Sequence, residues 1–183
     1  EELRKFTWDV DKDGNKLNKP IDDYDHCFIG STMITTISGQ KRIDSIEVGE
    51  LVLTSNGYRK VLKTFDNGVK DVYEFTINGV KVTATPDHKI KTNRGWKAIG
   101  SLLLNDTVFI GTSCSDIKEM AVSVFKSTYK GKQKVYDLMV DSTHEYFANG
   151  ILVHNCVDSV RYWVLSEVLG HKRNTLDATN VFF

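Results

Sequence analysis

Short apolar, β-branched runs broken by Gly or Asn recur from residue 27 to residue 155. This texture predicts strands, and no stretch within it has helical periodicity. The candidate strands are Met33–Thr36, Leu51–Thr54, Val72–Ile77, Val80–Thr85, Val135–Val140 and Ile151–His154. Between two of them, Asn78-Gly79 predicts a two-residue hairpin, because both central positions of a type I′ turn need positive φ. Beyond Cys156 the period changes. Val157, Val160, Val164 and Val168 recur every three or four positions and Gly170 supplies a stop, so a short C-terminal helix is expected there. The first 26 residues differ again, with eight Asp/Glu against five Lys/Arg.

Two segments of the β zone read as a weak internal repeat. "DVYEFTINGVKVTATPDHKI" at 71–90 and "KVYDLMVDSTHEYFANGILV" at 134–153 share Val-Tyr-acid followed by a hairpin, which suggests a pseudo-symmetric pair of β subdomains. In the acidic zone, "DVDKDG" imitates a calcium loop, with Asp9, Asp11 and Asp13 at positions 1, 3 and 5 and then Gly14. Position 12 needs a bidentate Glu and is Pro20, so an Asp/Gly/Asn-rich turn between strands is the better reading.

With 183 residues, 40% hydrophobic and 26% charged, the chain can bury a globular core. Its formal net charge of +0 gives no electrostatic reason to expect a nucleic-acid or membrane partner. There is no signal-peptide pattern and no apolar run near the roughly 20 residues of a membrane span, so a cytoplasmic monomer is expected. The three cysteines, Cys27, Cys114 and Cys156, are too few and too widely spaced for a disulfide framework or a CxxC zinc pair.

The chemistry concentrates at "GILVHNC", residues 150–156, where an apolar strand ends in His154, Asn155 and Cys156. An Asn side-chain amide can attack its own backbone carbonyl, cleaving the following peptide bond and leaving a succinimide. His154 and His144 are candidate proton donors to the departing amine. Cys156 is then a nucleophile placed to accept an acyl group. Cys27 opens the β zone as Cys156 closes it, and its sulfur can convert the peptide bond before it into a thioester. That shift is uphill and needs a polarised peptide and a proton for the leaving nitrogen. "TPDH" offers Thr85 as a polar anchor and His88 as the proton donor.

These motifs, in this order, resemble the inteins, self-splicing members of the Hint (hedgehog/intein) family. The likeness rests on Cys27 with "FIGSTMITTISGQKRIDSIEVGELV", on "TPDH", on "VYDLMVDSTHEYFANG", and on "VHN" before Cys156. It implies an all-β Hint horseshoe over residues 27–155, flanked by an N-extein segment (1–26) and a C-extein segment (156–183). It further implies splicing in cis, with the flanks as substrate and no cofactor or metal required. Cys27 forms the thioester with help from Thr85 and His88, and Cys156 takes the acyl group. Asn155 cyclises with help from His154 and His144, and an S–N shift joins the flanks. Asp137 matches the family's acidic residue that hydrogen-bonds the two thiols. The span from Val108 to Gln133 reads as a polar loop with no room for a homing endonuclease, and Cys114 within it as a loop thiol.

Joined across the junction, the flanks read "DHCVDSVRYW". This resembles the C-terminal nuclease region of a bacteriophage terminase large subunit, in which His26 and Asp158 would meet at a metal site only after splicing. Other readings stay open at this stage. Cys27, His88, His154 and Cys156 are also a ligand set that suits zinc, as a metal-binding module or as an inhibitory site on the nucleophiles. A trapping disulfide between Cys27 and Cys156 requires their Cα atoms to lie within about 7 Å. A Hint domain that cleaves without ligating, or a β domain with no chemistry, also remains.

Overall fold

The computed structural model describes residues 26–155 throughout, together with the backbones of Trp8–Val10 (β1) and Lys16–Pro20 (β2). These two pair antiparallel on either side of the Asp/Gly-rich stretch, whose residues 11–15 lie outside the described residues. The expected C-terminal helix also lies outside them.

The remaining strands are β3 (Phe28–Ile29), β4 (Met33–Thr36), β5 (Gly39–Arg42), β6 (Leu51–Thr54), β7 (Gly57–Ile77), β8 (Val80–Ala84) and β9 (Lys89–Thr92). They continue with β10 (Gly95–Ala98), β11 (Thr107–Ile110), β12 (Lys118–Ala121), β13 (Phe125–Val140), β14 (Glu145–Ala148) and β15 (Ile151–His154). All pair antiparallel, in the order β10-β9-β11-β15-β14-β4-β6-β7-β13-β3-β8, with β12 on β11 and β5 on β4. Among the described residues there is no α-helix, only two 3₁₀ turns, and no helix long and apolar enough to cross a membrane. The all-β expectation therefore holds for this region.

Two strands are far longer than their apolar patterns predict. Only Val72–Ile77 of β7 and Val135–Val140 of β13 read as strand in sequence, because the stretches Leu62–Asp71 and Lys126–Lys134 are mostly polar and largely exposed. Their pairing runs from Phe125↔Ile77 to Val140↔Val61, and the backbone ladder holds the polar stretch without a core beneath it. Cross-strand contacts decorate it: Tyr129 donates to Asp71 at 2.6 Å and its ring lies 5.2 Å from that of Tyr73. The polar loop expected over residues 108–133 is thus corrected to β11, β12 and the first half of β13. A true loop remains between β11 and β12, where Cys114 is exposed. There Asp116 accepts from the Thr112 hydroxyl and from the Thr112 and Ser113 N–H groups, which holds its carboxyl down to about 2.

Asn78-Gly79 forms the expected hairpin, with φ of 48° and 88° and Ile77 opposite Val80. Asn149-Gly150 repeats it between β14 and β15, with φ of 47° and 78°. Each Asn also clamps a neighbouring strand. Asn78 Oδ1 accepts from the Ser123 and Val124 N–H groups. Asn149 Oδ1 accepts from Met33 N–H and its amide donates to Lys81 O, both at 2.7 Å. The two Val-Tyr-acid copies lie on the paired arms β7 and β13. Only the first leads straight into its own hairpin, since β13 is followed by β14, which pairs with β15 and β4. Asn149→Ala should lower unfolding stability by about 2 kcal/mol, from two lost hydrogen bonds and a disfavoured positive φ, as read by urea unfolding of the two chains.

The main core gathers Phe28, Ile34, Phe75, Ile90, Val108, Leu138, Tyr146, Ile151 and Val153, drawn from nearly every strand. Its consequence for the site is placement. The start of β3, the loop after β8 and the end of β15 all terminate in the same buried region.

Candidate active site

Strand β3 is two residues long and lies between β13 and β8, with Phe28 opposite Tyr136 on one side and Ala84 on the other. One step upstream in these registers, Cys27 faces Asp137 and Thr85. Its backbone is gripped twice by Thr85: the Cys27 N–H donates to Thr85 Oγ1 at 3.1 Å, and the Thr85 N–H donates to Cys27 O at 3.0 Å. The Cys27 side chain is fully buried against Val72, Val135 and Ile29.

A residue that the sequence did not single out touches this sulfur. Asn67 Nδ2 donates to Cys27 Sγ at 3.0 Å. The cause is a bulge: the β7–β13 register slips between Lys134 and Tyr136, and Gly68 takes φ +72° with its N–H on Asp66 Oδ1. Bulges of this kind re-aim a side chain out of its pleat. "DNG" in a strand-like context was the available signal.

His88 sits in the loop after β8. Backbone bonds from His88 N–H to Thr85 O, from Ile99 N–H to His88 O and from Gly100 N–H to Pro86 O tie that loop down. The imidazole is fully buried, its centroid 3.9 Å from that of Phe28, and neither ring nitrogen has a hydrogen-bond partner among the described residues. Burial, and secondarily the charge of His26, hold its pKa well below the ordinary histidine value; the carboxylate of Asp87 and the His26 backbone oppose this weakly. His88 is therefore neutral near pH 7.

Strand β15 pairs with β9 through Val153↔Ile90, which brings the end of β15 alongside the strand that begins directly after His88. The Asn155 N–H donates to His144 O at 3.0 Å, and the residue is fully buried. Neither Oδ1 nor Nδ2 of its amide has a partner among the described residues. An unpaired buried amide costs about 1–3 kcal/mol, which marks it as a group kept for something other than stability. Next to it, His154 Nδ1 contacts the Asn155 carbonyl oxygen. The His154 ring meets Trp96 of β10 edge-on at 4.6 Å, and burial lowers its pKa. Trp96, like Asn67, was not among the expected residues. His144 is exposed, with φ +52°; it meets Asn155 through its backbone.

Asp137 is fully buried on β13. Its Oδ1 accepts from the Leu138 N–H and from the Tyr146 hydroxyl, each at 2.8 Å. Cys156 and Asp158 lie outside the described residues, and with them the disulfide, the zinc readings that need Cys156, and the proposed nuclease pair. Among the described residues no three His, Cys, Asp or Glu side chains gather as a metal-ligand group. Thr85 thus ties the Cys27 backbone to the segment that carries His88, Asp137 is buried on the neighbouring β13, and His154, Asn155 and the His144 backbone lie together at the end of β15.

This body has the Hint fold, the fold of inteins. Among solved structures the chain is similar to the gp41-1 intein, at 27% identity and TM-score 0.62 over 71% of this chain and 98% of that one. It is equally similar to the DnaB intein from Synechocystis sp. PCC 6803, at 27% identity and TM-score 0.64 over 72% and 99%. A bacterial intein-like domain from Clostridium thermocellum matches at 27% identity and TM-score 0.62, over 70% and 98%. No family model matches the chain. Curated sequences match in short pieces: protein RecA of Mycobacterium tuberculosis is 47% identical over 51 residues, 27% of this chain and 6% of RecA. A probable replicative DNA helicase of Guillardia theta is 25% identical over 109 residues, 54% of this chain and 18% of the helicase. The chain therefore spans only a small part of these curated relatives.

Proposed function

We propose that residues 27–155 excise themselves and join their flanks, in a single turnover of protein splicing in cis. Similarity to inteins over nearly their whole length supports splicing in general. Short matches inside protein RecA and a probable replicative DNA helicase suit a segment that sits in unrelated hosts. The observation that carries the specific reading is the buried Asn155 amide without a partner among the described residues, on a strand paired to β9 just after His88, while Thr85 of the same segment grips the Cys27 backbone.

In the first step Cys27 Sγ attacks the His26 carbonyl carbon. A C–S bond forms, the C–N bond breaks, and the thiol proton passes to the freed Cys27 nitrogen. Neutral His88 takes that proton and returns it to the nitrogen, while Thr85 Oγ1 holds the scissile N–H. Cys156 Sγ then displaces Cys27 Sγ from the thioester. Asn155 Nδ2 attacks its own carbonyl carbon, the bond to the Cys156 nitrogen breaks, and that nitrogen gains the proton. The His154 contact with the Asn155 carbonyl oxygen suits polarisation of this electrophile. Last, the Cys156 amine attacks the thioester and gives an amide and a free thiol. Asp137, buried on β13, takes the part of the family's acid that hydrogen-bonds the two thiols in turn.

The test is intact-mass spectrometry of the purified chain under reductant and chelator, beside a Cys27→Ala, Asn155→Ala control. Splicing yields a 27–155 fragment and a ligated 1–26 plus 156–183 product. Free 1–26 and 156–183 without ligation favour an autocleaving Hint domain, and an unchanging mass sinks the reading. The finer assignment of the host, a phage terminase nuclease completed when His26 and Asp158 meet, rests on the flanks alone. It is tested by nuclease activity of the full host before and after excision.

Asn67 belongs in this scheme as the donor to the attacking sulfur, stabilising the thiolate that forms there. Asn67→Asp, which keeps the shape and replaces the donor by an acceptor, should slow thioester formation at least about tenfold. A charged hydrogen bond of this kind is worth about 1.5–3 kcal/mol. Alkylation of Cys27 by iodoacetamide should slow in parallel.

A further inference from the structure

We propose that Asp87, the third residue of the "TPDH" segment, reads the side chain immediately upstream of the scissile bond and selects for a cationic or hydrogen-bond-donating residue at position 26. The inference rests on the splicing reading and identifies which flanks the site accepts. His26 Nδ1 lies 3.1 Å from Asp87 Oδ2, and the His26 side chain is only 12% exposed. This residue of the flank is therefore seated in the fold rather than trailing from it.

The same carboxylate also receives the Thr85 hydroxyl. Burial alone would raise the Asp87 carboxyl, but the hydrogen bond and charge of His26, with a further hydrogen bond from Thr85, hold it below the usual carboxylate value. Asp87 thus bridges the two sides of the bond to be broken. Upstream it pairs with the side chain of His26. Downstream it orients the Thr85 hydroxyl, whose oxygen accepts the Cys27 N–H. Thr85 Oγ1 presents a lone pair to the scissile N–H, and the carboxylate beside it is the one paired with His26.

The charge arrangement has a second use. The His26 and His88 rings are 6.2 Å apart, and a positive His26 disfavours protonation of His88 while the Asp87 carboxylate favours it. An acidic residue at position 26 would both repel Asp87 and leave Thr85 mispositioned. An apolar one would leave the carboxylate without its upstream partner.

The experiment reads the first step alone, as thiol-induced release of residues 1–26 from the full chain carrying Asn155→Ala, followed by intact mass. His26→Glu and Asp87→Lys are each expected to slow release about tenfold. The double variant, with the charges exchanged, should recover the part of the loss that comes from the 26–87 pair but not the part from Thr85, giving a rate above the product of the two single effects. A purely structural role for either residue would not produce that recovery. Rates within twofold of the parent for both single variants, or a double variant no better than multiplicative, would overturn the inference while leaving splicing intact. If the parent releases nothing and the unaltered chain also stays whole, the splicing reading falls and this inference with it.

Discussion

Asn155→Ala is expected to leave the chain unable to release residues 27–155, with no ligated product by intact mass after prolonged incubation. The reacting nitrogen is the Asn155 side-chain amide, and alanine offers none. The earlier steps do not need it, so a thioester dependent on Cys27 should accumulate and be cleavable by added thiol. What makes this a test of function rather than of folding is the burial of the amide without a partner among the described residues. A structural Asn in the core would make hydrogen bonds, and its loss would destabilise. Here removal of the amide relieves a desolvation cost of about 1–3 kcal/mol, so thermal stability should hold or rise. Ligation by the alanine chain at the parent rate would end the splicing proposal.

The second large effect is expected at His88. His88→Ala should slow release of residues 1–26 about 100-fold or more, the usual scale for loss of a positioned acid–base group. The same histidine imposes a pH dependence on stability. Its folded pKa is depressed, so the unfolded chain binds the extra proton as pH falls through about 6.5. This contribution is absent at higher pH, and the folded state loses stability as pH drops below that value. His154, also lowered by burial, acts in the same direction. Unfolding midpoints at pH 7.5 and 5.5 should therefore differ less in His88→Ala than in the parent, without becoming equal. An unchanged difference would show that His88 is not held neutral in the folded chain.

Much of the fold could be read locally. Met33–Thr36, Leu51–Thr54 and Ile151–His154 are strands with the expected bounds, and Val80–Thr85 is one residue too long. Their apolar and β-branched residues are mostly buried, so side-chain pattern and backbone state agree. Strands β5, β10 and β12 carry no such pattern, and three of the turns used a code that was passed over. In Thr36–Gly39, Thr54–Gly57 and Thr92–Gly95 the threonine hydroxyl donates to the glycine carbonyl and accepts the N–H two residues on, closing a hairpin each time. The polar arms of β7 and β13 were invisible for another reason. Their stability comes from each other's backbone, and a strand solvated on both faces leaves no hydrophobic period to read.

The sequence by itself determined the chemistry on offer and its order: a thiol at Cys27, an imidazole at His88, a carboxylate at Asp137, and His154-Asn155-Cys156 at the far end. Side-chain reactivity and covalent order are local properties, and they survive without knowledge of the fold. Only the tertiary structure decided that the segment holding Thr85 and His88 grips Cys27 and leads into the strand paired with β15, that a bulge turns Asn67 onto the sulfur, that Trp96 braces His154, and that Asp87 holds His26. Each of these depends on which strand pairs with which and in what register. That is set by hydrogen-bond ladders and core packing between residues far apart in the chain, which no short stretch encodes.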